Sequence, residues 1–517
     1  MELAEKRGKI IHTLRERRRV EAAIRHLARL SGPTEAKREA GRIASMGDQV
    51  IPALTGLLDT SDPWLLSALG LVVTHLDREK VARTLRQVAT GPLGPDRARL
   101  AALLILERFL GQELDDALYQ GLEAPETAVA QSLAEMAEYA VADRGILYEY
   151  VLATELQPDD VSQLIVDFTC DLGPTRAVLP LWALAQSQRQ DVSKLALHRL
   201  GSLRSPDSAA MLQALLVTLP PGRRALAERS LRKLQFSGVD VPPLSPPHPA
   251  WRALISPIDG QGSQSIWFIF DPQQDAPTRV LSLLVGDLTG IQEAGYDRDG
   301  ELVRHLPPKR PPGTVHQVAF PCAATALPLL EAEFDLGRRL VQRALAASQA
   351  RDQVSPLGYA VLSDALWKWS GPQEACHPAV GRPSGGEVAS LRPRTGDLLR
   401  HPAFATWFVQ SEAVLKAAAR LGWGALFHGR PGISPAVAEL VGGHFSPEAT
   451  ARYCHRLEGM AEWLWLAGDE GTAGLALAAA ATLRDGPPEN HPLAGRMVQA
   501  GLAFALQSLA VDAHRLP

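Results

Sequence analysis

Six segments in the first half of the chain repeat one layout: an apolar-periodic helix, a short turn carrying Gly or Asp, then a second apolar helix. The first reads "AGRIASMGDQVIPALTGLL" and the last "ALHRLGSLRSPDSAAMLQALL". Turns marked at Gly47, Asp77, Gly111, Asp143, Gly173 and Ser205 are separated by 30, 34, 32, 30 and 32 residues. A helix pair of that size cannot cover its own apolar face, so copies stack, and the spacing predicts an α-solenoid over residues 1–238. Local chemistry agrees. Gly and Asp let one helix end and the next begin. Pro52 and Pro206 fall near second-helix starts, where a missing N–H costs little. Ile51, Leu54, Leu57 and Leu58 lie on one helical face that needs a neighbour.

Residues 41–58, "GRIASMGDQVIPALTGLL", and 196–216 resemble HEAT repeats, in particular the short HEAT-like repeats named after phycobilisome lyases. The resemblance spans roughly residues 20–236. It implies a protein-binding scaffold; for a minority of that family it implies help in attaching bilins to phycobiliproteins. No residue here matches a lyase catalytic motif, so none is carried over.

Charge is uneven along this half. Residues 1–30 hold nine Lys/Arg against four Asp/Glu, a pattern that suits a polar helix capping the array. Residues 101–175 hold fifteen acids against Arg108 and Arg144 alone. Such a field on a solenoid surface would attract a basic partner. Asp115, Asp116, Glu135 and Glu138 are the candidate partner-binding residues. The same run also fits a solvated face that keeps the array soluble.

The helical pattern stops at "FSGVDVPPLSPPHPA", and residues 239–250 read as a stiff proline-rich linker. Short β-type runs follow at 251–256, 264–270, 279–286, 290–296 and 300–306, which predict a small antiparallel module over 251–321. Its first turn, "DGQGSQS", has glycines that lead into "SIWFIF". A phosphate loop would lead into a helix N-terminus instead, so this one reads as a hairpin. "DRDGE" at 297–301 lacks the further oxygen ligands of a calcium loop. Residues 322–517 read as a helical domain, with one or two helices over 322–350 and a flexible loop at 371–400 rich in Gly, Pro and Ser.

The chemical candidates are sparse. His444, Cys454 and His455 are close in sequence with His428 upstream, but adjacent helical residues point about 100° apart. Cys376 and His377 fall in the loop, where a dyad would lack positioning. No catalytic, cofactor-binding or metal-binding residue is assigned, no cofactor is implied, and the reading favours a non-enzyme.

Cys170, Cys322, Cys376 and Cys454 are widely spaced, as in a reducing compartment. The N-terminus has no apolar signal core, and no apolar run is long enough to span a bilayer, so a cytoplasmic location is expected. A net charge of −4 argues against bulk-charge nucleic-acid binding.

The chain is thus expected to be mainly α, with a HEAT-like solenoid, a central β module and a C-terminal helical domain. The expected role is a protein–protein scaffold or adaptor. The alternative is an enzyme or enzyme subunit, bilin-lyase-like in its most definite form, with a small-molecule pocket where the β module meets the C-terminal helices. A pocket lined by polar groups from 255–305 and 400–460 would favour that alternative.

Overall fold

The computed structural model describes residues 16–513 apart from 31–32, 48, 61, 92–94, 113, 115–124, 242, 273–277, 298–300, 320–325, 352, 372–383 and 422–432. It is mainly helical, with one antiparallel sheet of six strands in the middle and helices after it. Two compact units make up the chain: residues 1–209 with 232–239, and residues 210–231 with 240–517. The β module and the C-terminal helices therefore share a unit.

In the first unit, all six marked turn positions lie between helices. Asp77 caps the helix Arg78–Thr90, its carboxylate accepting from the Lys80 amide at 3.0 Å. Helices pack on the next but one: Pro33–Ala44 on Pro63–Val73, and that on Asp96–Arg108; Pro125–Ala142 on Asp159–Asp171, and that on Gln190–Leu200. Gly145–Glu155 packs on Pro174–Leu184 in the same way.

A buried serine ties three of the turns in the same way. Ser162, Ser193 and Ser208 donate to the carbonyls of Thr154, Ala185 and Leu200, eight residues back, at 2.9, 2.6 and 2.6 Å. Each hydroxyl stands in the first turn of one helix and satisfies a carbonyl at the end of the preceding one, a group that has no intrahelical partner.

In the second unit the strands are β1 (Trp251–Ile255), β2 (Ser263–Phe270), β3 (Arg279–Gly286), β4 (Gly290–Asp297), β5 (Val315–Val318) and β6 (Leu327–Ala332), in the order β4-β3-β2-β1-β6-β5. One face is a cluster of Leu254, Trp267, Ile269, Val280, Val318 and Leu329, with Leu302, Val303 and Leu306 packed on it. The other face carries Trp251 and Phe268, whose rings meet Phe334 of the helix Phe334–Gln349 at 5.0 and 5.4 Å.

Three expectations are corrected. The predicted strand at 300–306 is instead the short helix Glu301–Arg304, because the Asp297 carboxylate accepts from the Leu302 amide at 2.7 Å and starts a turn there. The sheet also extends past residue 321, since Leu327–Ala332 pairs with β1, and among the described residues of the span 322–350 only Phe334–Gln349 is helical. Finally, the 371–400 stretch contains the helix Gly385–Leu391 and a 3₁₀ segment Arg392–Arg400. Ser384 and Glu387 form a reciprocal capping box that starts that helix; residues 372–383 lie outside the described residues.

Candidate functional site

The turn that joins β1 to β2 is held by one carboxylate. Asp259 Oδ1 accepts from the amides of Gln261 and Ser263 at 2.9 and 2.7 Å. Its two glycines are set by close approach. A Cβ on Gly260 would stand 2.5 Å from the Thr406 carbonyl oxygen. One on Gly262, which has φ of 87°, would stand 2.4 Å from Asp287 Oδ1 and 2.6 Å from Arg456 Nε. The stretch is a hairpin turn, as its sequence context implies. It is also one wall of a cavity.

That cavity, of about 430 Å³, lies within the second unit, on the face of the sheet that meets the helix Phe334–Gln349. Its size falls in the range of small-molecule sites. Ile255, Gln264, Val285 and Leu330 line it from the sheet; Leu336, Leu340 and Ala344 from the 334–349 helix; and Arg456, Gly459 and Trp463 from the helix Pro447–Leu466. Its position joins the 255–305 segment to the 400–460 segment.

The polar groups at the cavity are fixed. Arg456, with its side chain only 7% exposed, gives Nε to Asp287 Oδ2 at 2.6 Å, Nη2 to Asp287 Oδ1 at 3.2 Å and Nη1 to the Gly260 carbonyl at 2.7 Å. Two charges in such a bidentate pair offset each other's desolvation. Burial, the first influence, pushes the neighbouring Tyr453 hydroxyl up from its ordinary pKa against the pull of Arg456, whose guanidinium lies 5.0 Å from that ring. Arg343 pairs with Glu462 at 3.4 Å, and Glu458 pairs with Arg484 at 2.7 Å. Trp463 donates its indole N–H to the Ile255 carbonyl at 2.9 Å, so this residue of the Trp463/Trp465 pair reaches the sheet.

The sequence-derived candidates fall elsewhere, apart from His455, which lines the cavity. Asp115 and Asp116 lie outside the described residues. Glu135 pairs with Arg97 at 3.0 Å, and Glu138 with Arg176 at 2.6 Å. Asp159 and Asp167 likewise pair with Arg189 and Arg199. A charge count over 101–175 leaves out these four arginines, which flank that window in sequence and sit on neighbouring helices or, for Arg189, just before one.

Cys454 is buried, its thiol 3.3 Å from the Ala480 carbonyl and raised in pKa chiefly by burial, while His455 is exposed. His444 contacts the Tyr453 hydroxyl at 3.2 Å. These residues do not converge on one point. His428, Cys322, Cys376 and His377 lie outside the described residues. Among the described residues, no three His, Cys, Asp or Glu side chains are grouped to hold a metal ion, and no helix is long and apolar enough to cross a membrane.

Arg456 is marked by a signal in the sequence. Tyr453, Arg456, Leu457, Met460 and Leu464 recur at helical spacing on the buried face, and an arginine on an apolar stripe requires a buried partner. Asp287 and Gln264 have none, being single polar residues, one in the turn after β3 and the other in β2.

No protein-family model matches the chain, and neither a curated protein nor a solved structure is similar to it.

Proposed function

We propose that this protein is a binding protein whose second unit receives a small, largely apolar molecule in the cavity between the sheet and the 447–466 helix. The cavity carries this reading: an apolar lining with a few fixed polar groups is the usual form of a small-molecule site. Its ionisable groups are engaged in ion pairs, which favours binding over proton-transfer chemistry. Leu340 lines the cavity, so Leu340→Trp should fill it. Protein purified from native cells is expected to release a small molecule on denaturation, seen by mass spectrometry, that the Leu340→Trp protein lacks. No such molecule from either protein would overturn the reading.

A second reading, a HEAT-like scaffold in the first unit that docks a protein partner, is favoured by a separate observation. Leu104, Tyr139, Val141, Tyr148, Leu156 and Leu164 are large apolar residues exposed on consecutive helices of that unit, interspersed with acids. Exposed apolar groups of this kind among acidic residues suit an amphipathic, basic partner. Affinity purification at low and moderate salt is expected to recover a stoichiometric protein. Reversing Asp115, Asp116, Glu135 and Glu138 should weaken its capture and the salt sensitivity of that capture. Unchanged capture would remove the acidic surface from the argument.

A further inference from the structure

A glutamine brings to the cavity a polar atom that the protein's own hydrogen bonding leaves over. Gln264 is 8% exposed and lines the cavity from β2. Its Nε2 donates to the Ser256 carbonyl at 2.8 Å. Only the NH₂ end of the amide can satisfy a carbonyl, so this bond fixes the amide's orientation and turns Oε1 away from Ser256. Among the described residues Oε1 has no protein donor, and it is not sealed from solvent-sized space.

The charges nearby narrow what can meet that oxygen. Both oxygens of Asp287 and all three nitrogens of Arg456 are engaged with each other or with Gly260. Arg343 faces Glu462. A ligand carboxylate would find an amide oxygen and carboxylates, with no arginine that is not already held by an acid and with His455, the cavity's one imidazole among the described residues, 3.9 Å from Glu458. A ligand cation would find Asp287, Glu458 and Glu462 each paired with an arginine already. A hydroxyl group would find an acceptor.

We infer that, if the cavity is a ligand site as proposed above, it takes a neutral molecule with an apolar body and a hydrogen-bond donor, of the alcohol class, and that Gln264 Oε1 selects it. The apolar body lies against Val285, Leu330, Leu340 and Trp463, and the hydroxyl donates to Oε1.

Isothermal titration of the full chain with 1-octanol, methyl octyl ether and octanoate separates the possibilities. These probes share the apolar chain and differ at the head: a donor, an acceptor alone and an anion. 1-Octanol is expected to bind, the ether about fivefold more weakly for want of one net hydrogen bond, and octanoate not to register. Gln264→Met, similar in volume but without the amide oxygen, should bring 1-octanol down to the ether's affinity. Leu340→Trp should abolish binding of all three while the protein still melts cooperatively. If none of the three binds the unaltered protein, the cavity reading itself fails. If 1-octanol and the ether bind equally, or octanoate binds as well as either, the cavity is a ligand site and the role of Gln264 is wrong.

Discussion

Glu331→Ala is expected to destabilise the second unit by about 3–5 kcal/mol, the cost of stranding a buried charge. Glu331 lies on β6 with its side chain 2% exposed. Its two oxygens take Arg252 Nη1 at 3.0 and 2.8 Å, and Oε2 also meets His316 Nε2 at 2.9 Å. Arg252, itself 5% exposed, has only the Pro307 carbonyl as a further acceptor, at 2.9 Å, and its Nε has none among the described residues. Removing the carboxylate therefore leaves a guanidinium between strands that cannot reach water. Replacing both partners by apolar residues avoids that penalty, so Arg252→Met with Glu331→Leu should lose less than the two single changes together, by about 2–3 kcal/mol. Urea unfolding of the four proteins, followed by tryptophan fluorescence, gives the coupling. Strictly additive losses would show that the pair is not acting as a pair.

This network also shows where the sequence was hard to read. Glu331 sits in "LPLLEAEF", whose proline, leucines and acids read as a helix start, and the helix does begin two residues after β6 ends. An inward-facing glutamate breaks the period-2 pattern that marks a strand, and only the arginine and histidine brought from β1 and β5 make it tolerable there. Those partners are 79 and 15 residues away in sequence.

The first unit was legible for the opposite reason. Its turns and apolar stripes are local features, and all six marked turns fall between helices. Its serine ties, each spanning eight residues, were within reach of a sequence reading but look like ordinary polar residues until the carbonyls they satisfy are seen. The cavity was legible only as a region. The segments that meet there can be named from the sequence, but of the residues that give it polarity only Arg456 is marked by its local pattern. Asp287 follows β3, and Arg456 reaches it across 169 residues.

Acidification from pH 7.5 to 4.5 is expected to cost the second unit about 2–3 kcal/mol through His491 alone. This histidine is 2% exposed, between a 3₁₀ turn at Pro488–Asn490 and the helix Pro492–Ala513. The Thr482 hydroxyl donates to the Ala478 carbonyl at 2.7 Å, so its oxygen accepts from His491 Nε2 at 2.9 Å. The neutral ring then carries its lone pair on Nδ1, which is buried with no partner among the described residues. A proton added there would be buried without an acceptor. Burial first, and the nearby Arg392 second, lower the pKa from 6.5 to about 4, with the Ala479 carbonyl opposing. The unfolded chain binds the proton more readily, so the stability is fully present above pH 6.5 and is lost as the pH falls through that value towards 4. His491→Gln keeps a donor for Thr482 and cannot titrate. It should cost some stability at pH 7.5 yet lose about 2–3 kcal/mol less than the unaltered protein between pH 7.5 and 4.5. Other titrating groups, His444 with its own lowered pKa among them, are common to both proteins and cancel in that difference. Parallel stability-against-pH curves for the two proteins would show that His491 is protonated as readily in the folded chain as in the unfolded one.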